Sequence, residues 1–340
     1  MNVIELTQAL VRIRSLSGSE EGCVELLRDQ LPGAVVSGRN VYAVRGDGPR
    51  TLLLNSHTDT VPDSPEWTIH PHGAELSDGK IFGLGANDAK GPLAAMICAF
   101  VEATLPTDAR LVLAATCEEE TGGAGLGTLR PELGDIDAAI IGEPTGMAVC
   151  SCQRGLLRLR MIAHGKSAHA SRPWQGENAI EKAARDIGVL AALELPEHPL
   201  LGPATLQATM IGGGVRTNIL PPVCTVEIDA RTIPALDNAA LHERVRGAVE
   251  SEIELVSDRF VPLETPADAA IVRAALSASK NSAPSAFGGV SDFFHVRDVP
   301  GIVMGPGRSE QSHAADEWVE VDQLEFGVRA YRETIERYFA

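Results

Sequence analysis

His57, Asp88, Glu119, Glu120, Glu143 and His313 are the residues of this chain whose types and order could do chemistry together. Imidazole and carboxylate are the side chains that borderline divalent cations bind. Most follow an apolar run and stand beside a turn signal. His57-Thr-Asp59 ends the run Thr51-Leu-Leu-Leu-Asn-Ser56, and Glu118-Glu119-Glu120 ends Arg110-Leu-Val-Leu-Ala-Ala-Thr116. Glu143 comes just after Ala138-Ala-Ile-Ile141, and Asp88 lies in the glycine-rich stretch Gly83 to Gly91. A cation pair that activates water to cleave an amide is the chemistry such a set supports.

Residues two apart share a face in extended chain, so Asp59 can accept a hydrogen bond from the His57 ring nitrogen that faces away from a metal. A carboxylate at Asp88 can bridge two cations. Three adjacent glutamates repel one another unless cations compensate; a solvated acidic turn is the bland alternative. A hydrolytic centre needs both a ligand and a base there, and neighbours pointing different ways supply both. Two divalent cations would balance Asp88, Glu120, Glu143 and a shared hydroxide. Two imidazoles among the ligands suit Zn²⁺ better than Mg²⁺.

The elements that must position these residues follow from periodicity. Ile4 to Ile13 and Glu20 to Leu31 have helical spacing, and Gly91 to Ala103 is an alanine-rich helix. Val35-Val36, Asn40 to Arg45, Thr51 to Ser56, Arg110 to Thr116 and Ala138 to Ile141 read as strands. The later three are apolar without alternation, as strands of a parallel sheet covered on both faces are. Near Gln153 the texture changes: Leu156 to Ile162 and Cys224 to Arg231 alternate, with helical segments at Glu177 to Leu193 and Asn238 to Glu252. That order predicts an inserted ferredoxin-like α+β lid with an antiparallel sheet. The parallel texture returns at Ile302-Val-Met304 and closes with a helix over Gln323 to Tyr338. The expectation is an α/β catalytic domain at 1–153 and 262–340, interrupted by a lid at 154–261.

A chain of 340 residues favours two domains. With 29 basic against 46 acidic residues, the net charge of −17 argues against nucleic acid or an anionic membrane as partner. No stretch reaches the roughly 18 apolar residues of a membrane helix, and the start lacks the basic and apolar regions of a signal peptide. Six scattered cysteines without a zinc-knuckle spacing read as reduced core residues. A cytoplasmic location is expected.

The motifs Ser56-His-Thr-Asp-Thr-Val-Pro62, Gly85-Ala-Asn-Asp-Ala-Lys-Gly91, Thr116-Cys-Glu-Glu-Glu120, Ile141-Gly-Glu-Pro-Thr145, Gly165-Lys-Ser-Ala-His169, Gly288-Gly-Val-Ser-Asp292 and Ser312-His313 resemble those of the dinuclear zinc amidohydrolases. That family includes acetylornithine deacetylase, succinyl-diaminopimelate desuccinylase and aminoacylase. The resemblance implies two Zn²⁺, for which Co²⁺ can substitute. His57 and Glu143 would bind one, Glu120 and His313 the other, and Asp88 would bridge. It further implies Glu119 as general base, Asp59 as orienter of His57, a cis peptide at Asp88–Ala89, and His169 as the lid residue that stabilises the oxyanion. Arg231 would hold the substrate's α-carboxylate, with a solvated arginine as the alternative, and Asn218, Gly289 and Ser291 would serve substrate binding. A homodimer through the lid is implied as well. Pro62 to Trp67 and Gly305 to Glu317 are most similar to acetylornithine and acetylcitrulline deacetylases. The expected substrate is therefore a small Nα-acetylated amino acid of arginine biosynthesis, with a desuccinylase or dipeptidase as alternative.

Overall fold

A computed structural model describes residues 1–122 and 125–340. The chain divides into two compact units. Met1–Ser151, Thr265–Phe287 and Ser291–Ala340 form the first, and Cys152–Glu264 with Gly288–Val290 form the second.

In the first unit the sheet runs in the order Val35–Ser37, Asn40–Arg45, Ala109–Thr116, Arg50–His57, Ala138–Ile141, Gly301–Val303, Cys150–Gln153. The four strands from Ala109–Thr116 to Gly301–Val303 are mutually parallel. Asn40–Arg45 and Cys150–Gln153 flank them antiparallel. Arg50–His57 is buried from Thr51 onward and Ala138–Ile141 throughout, which is why neither alternates. The helix Lys90–Glu102 is buried at every position from Lys90 to Phe100, so its sequence is apolar all round rather than amphipathic. Val3–Val11, Ala270–Ser279 and Val321–Phe339 complete the helical cover. Leu54 sits fully buried in this core. Leu54→Ala is expected to cost about 2–5 kcal/mol, through lost apolar burial and the cavity left behind. Denaturant unfolding would show it as a lower midpoint at unchanged slope; an unchanged midpoint would contradict the packing.

Parallel pairing brings the C-terminal ends of these strands to one edge. His57 is in register with Thr116, and Asn55 with Ile141, which in turn pairs with Val303. The segments leaving those ends carry Asp59, Glu119, Glu120 and Glu143, and open α/β sheets bind ligands there. Gly305, just past the Gly301–Val303 strand, allows a close approach: a Cβ on it would lie 2.5 Å from the Glu143 carbonyl oxygen.

The second unit is a four-stranded antiparallel sheet ordered Thr205–Gly213, Val223–Thr232, Gly155–His164, Glu252–Phe260. With the helices Ala179–Ala191 and Asn238–Ala248 inserted in chain order, this is the βαββαβ arrangement of a ferredoxin-like fold. Gly155–His164 and Val223–Thr232 alternate buried and more exposed residues, as strands with one wet face do. The helix expected to reach Glu252 stops at Ala248. Asp186 of the neighbouring helix accepts hydrogen bonds from the Glu250 and Ser251 amides, at 3.4 and 3.0 Å, and turns the chain into the next strand. Two features went unread in the sequence. One is the helix Ala270–Ser279, although its buried Ile271, Val272, Ala274, Ala275 and Ala278 keep helical spacing. The other is a small sheet of Trp318–Glu320, Lys80–Phe82 and Glu75–Ser77, whose three-residue strands are too short for a period to register.

No helix among the described residues is long and apolar enough to cross a membrane. All six cysteines are buried.

Candidate metal centre

The first unit brings His57, Asp88, Glu119, Glu120, Glu143 and His313 together from five separate segments, Glu119 and Glu120 being adjacent. His57, Asp88 and Glu120 each offer a ligand atom, and these atoms all lie within 4.8 Å of one another. Asp88 is the hinge of the arrangement. Its Oδ1 is 3.3 Å from His57 Nε2 and its Oδ2 is 3.8 Å from His313 Nε2, so its two oxygens address two different imidazoles. Glu143 Oε1 lies 4.0 Å from His57 Nε2, and His313 Nε2 lies 3.0 Å from the Glu120 carboxylate. The peptide Asp88–Ala89 is cis.

Charge makes this cluster costly without cations. Burial, followed by the negative charges of Asp88 and Glu119, pushes the Glu143 carboxyl well above its ordinary range. Burial does the same to Glu119, reinforced by Asp292, Glu120 and Asp88. His57 is driven the other way from what burial favours: hydrogen bonds to Asp59 and Asp88 and the charge of Glu143 hold its proton tightly. The hydrogen bond to Glu120 raises His313 to about 9. Glu143 Oε1 is buried with no hydrogen-bond partner among the described residues, an orphan acceptor that a cation would satisfy. Two imidazoles and three carboxylates therefore fit a pair of divalent cations, which would displace the imidazole protons and offset the carboxylate repulsion.

Asp59 does more than its spacing suggested. The acceptor nearest to His57 Nδ1 is the Asp59 carbonyl oxygen at 3.0 Å, with the carboxylate at 3.4 Å. With Nδ1 carrying the proton, Nε2 is left as the electron-pair donor on the side of Asp88 and Glu143. The Asp59 carboxylate is turned toward other donors: the Glu119 amide and the Glu120 amide, each at 3.1 Å, and the Ser17 hydroxyl at 2.7 Å. Against the cost of burial, His57 and these donors hold the Asp59 carboxyl down at about 2. One buried carboxylate thus fixes both the histidine loop and the glutamate turn. Asp59→Asn would set an amide NH₂ against one of the two backbone N–H groups. It is expected to cost about 1–3 kcal/mol of stability and to lower turnover. Calorimetry and initial rates check this, and wild-type values in both would remove Asp59 from the centre.

Several contributors were missed in the sequence. Glu317 is buried and accepts hydrogen bonds from the Gly85, Asn87 and Asp88 amides. Glu20 accepts from the Glu118 amide at 3.1 Å, and Arg39 pairs with both Glu20 and Glu118. Asp292 accepts from the Thr116 hydroxyl at 2.9 Å behind the glutamate turn. Glu317 closed the Gly305 to Glu317 segment, four residues after His313, but nothing there gave it a role. Asp292 ended one of the quoted motifs and Glu20 began a helical segment, but neither sequence context pointed to these contacts.

Ser291 is buried in the first unit, and its hydroxyl accepts from the Phe293 amide at 3.3 Å. The remaining expected substrate residues belong to the second unit. His169 is exposed; its Nδ1 accepts from the Ser171 hydroxyl at 2.8 Å, and Nε2 has no partner among the described residues. Asn218 adjoins it, since the Ala170 amide donates to the Asn218 carbonyl at 3.0 Å. Arg231 is gripped by Asp229, with Nε 2.8 Å and Nη2 3.4 Å from its carboxylate oxygens. Gly289 lies in the short Gly288–Val290 stretch assigned to that unit.

A parallel sheet with imidazoles and carboxylates converging at its strand ends, interrupted by a ferredoxin-like unit, defines a metal-dependent amide hydrolase. The family model for peptidase family M20/M25/M40 matches residues 53–337, and the chain belongs to that family. It is 29% identical over 377 aligned positions to the succinyl-diaminopimelate desuccinylase of Roseobacter denitrificans, covering 99% of this chain and 98% of the relative. To the enzyme of the same name from Rhodospirillum centenum it is 30% identical, covering 99% and 97%. Among solved structures, the aminopeptidase PepT from Bacillus cereus superposes with a TM-score of 0.82 at 22% identity, covering 99% of this chain and 98% of that one. The expected acetylornithine specificity is not what these relatives are named for.

Proposed function

We propose that the protein hydrolyses the amide bond of a small N-acylated amino acid, with an N-succinylated amino acid as the favoured substrate. The observation that carries the hydrolytic reading is Asp88, whose two oxygens face the imidazoles of His57 and His313. The succinyl preference is supported by the desuccinylases to which the chain is similar along nearly its whole length. A second reading, an Nα-acetylated amino acid of the arginine route, rests on the Pro62–Trp67 and Gly305–Glu317 segments.

In this proposal His57, Glu143, Asp88, Glu120 and His313 hold two Zn²⁺, replaceable by Co²⁺. Bound there, the cations acidify the attacking water and polarise the acyl carbonyl. Glu119, placed by the hydrogen bond from its amide to Asp59, takes the proton from water as oxygen adds to the acyl carbon. It then gives that proton to the amine nitrogen as the carbon–nitrogen bond breaks. His169 offers Nε2 to the developing oxyanion, and Arg231, its fork oriented by Asp229, offers donors to the substrate carboxylate. Asn218, Gly289 and Ser291 remain proposed substrate contacts, and a cytoplasmic site of action fits a metabolite substrate. Turnover of N-succinyl-diaminopimelate, Nα-acetylornithine, Nα-acetylcitrulline and dipeptides, each with Zn²⁺ and with Co²⁺, tests the assignment. Succinyl substrates are expected to give the highest kcat/KM; preference for an acetyl substrate would replace the first reading by the second.

The second unit is also proposed to pair with a second copy. Thr205–Gly213 is an edge strand of its sheet, and Met210 and Ile211 on it are 69% and 59% exposed. An apolar edge strand of this kind is a template for pairing. The double substitution Met210→Lys and Ile211→Lys is expected to yield monomers in light scattering, whereas an unchanged mass above the monomer would contradict this interface.

A further inference from the structure

We propose that Glu317 is a positioning residue that pre-forms the Asp88 loop for cation binding and ties it to the His313 segment. This rests on the metal-centre reading above and adds a residue to it that touches neither the cations nor the substrate.

The loop Gly83-Leu-Gly-Ala-Asn-Asp88 poses a physical problem. It has positive φ at Gly83 and Gly85, at 151° and 80°, a conformation glycine reaches without strain but does not itself fix. Leu84, Ala86 and Asn87 are buried, so the backbone groups here must find partners inside the protein. A loop with this freedom would place the Asp88 carboxylate poorly. Yet the two oxygens of Asp88 must address His57 and His313 at the same time.

Glu317 meets most of that need, beside the Asn87 side chain. The latter donates to the Arg308 carbonyl at 3.1 Å and the Ser312 hydroxyl at 3.3 Å, and accepts from the Arg308 amide at 2.7 Å. Glu317 Oε2 accepts from the Gly85 amide at 2.9 Å, and its Oε1 accepts from the Asn87 and Asp88 amides at 2.7 and 2.9 Å. Its own carbonyl oxygen accepts from the Gly83 amide at 2.8 Å. Four amides of a six-residue loop therefore end on one residue, which is only 1% exposed. The next residue, Trp318, is in strand register with Phe82, so Glu317 stands where the Lys80–Phe82 strand hands over to the loop. Glu317 is also four positions after His313, whose ring contacts both Glu120 and Asp88. Loop and histidine come from chain positions more than 200 residues apart, and Glu317 sets their separation before any cation arrives. Such preorganisation lowers the ordering cost of binding.

Glu317→Gln tests this, because it keeps size and one acceptor oxygen but points an NH₂ group at one or two backbone N–H groups. Zn²⁺ affinity would be measured by competition with a chromophoric chelator on the metal-free proteins, after circular dichroism has shown both to be folded. Loss of a partner that orients a metal ligand typically weakens binding 10–100-fold. A weakening of about that size is expected, with Zn²⁺ still restoring turnover at saturating concentration. Affinity within twofold of wild type would overturn the proposal, since a merely structural glutamate would alter stability alone. Wild-type protein that binds no Zn²⁺ would overturn the metal-centre reading itself, and with it this one. A further measurement needs no variant: hydrogen exchange of segment 83–88 in the wild-type protein before Zn²⁺ is added. Slow exchange is expected there. Fast exchange that slows only on adding Zn²⁺ would also overturn the proposal, because the cations, not Glu317, would then order the loop.

Discussion

Glu119→Gln is expected to bind its cations as the wild type does and to lose turnover by about 10²–10⁴-fold, the span that a positioned proton-transfer group contributes. The substitution removes the proton acceptor but not the shape. The Glu119 amide still donates to Asp59, and the neighbouring Glu120 still faces His313 at 3.0 Å. Without cations, burial and the charges of Asp292, Glu120 and Asp88 push the Glu119 carboxyl well above its ordinary range, and bound cations would lower it again so that it could accept a proton from water. Two measurements separate the base from a ligand. Metal content at the wild-type level with kcat collapsed places Glu119 in proton transfer, whereas loss of metal would make it a ligand. Retained turnover would remove it from the chemistry.

Asp88→Ala should act on the opposite quantity. Removing this carboxylate takes away the group that faces both imidazoles, so affinity for the cation pair is expected to fall by at least the roughly 100-fold that loss of a supporting partner can cost. Activity should fall with it at any ordinary metal concentration. The fold should persist, since the loop amides end on Glu317 and not on the Asp88 side chain. Titration calorimetry with Zn²⁺ checks the affinity, and a variant that still takes up two cations tightly would show that Asp88 does not bridge.

How far the sequence revealed this centre depended on where each residue sat. His57, Glu119, Glu120 and Glu143 were legible because each follows an apolar, non-alternating run, and parallel strands deliver their C-terminal ends to a common edge. The second unit was legible because Gly155–His164 and Val223–Thr232 alternate. Glu317 was not, since nothing in a turn sequence tells which backbone amides a carboxylate will meet across more than 200 residues. For the same reason Asp59 was read as a partner of His57 alone, while its carboxylate mainly serves the glutamate turn. Short elements such as Lys80–Phe82 and Trp318–Glu320 carry too few residues for a period to register, although they set the entry to the Asp88 loop. Acyl-group preference is harder still, because acetyl and succinyl substrates share the reacting amide and differ only in what surrounds it.

The most direct measurement is an anomalous-difference map from crystals grown with Zn²⁺, recorded on both sides of the zinc absorption edge. Two adjacent peaks are expected, one beside His57 and Glu143, the other beside Glu120 and His313, with Asp88 reaching both. A map with no peak among these residues, or with its peaks elsewhere on the chain, would contradict the assignment of this cluster as the metal centre.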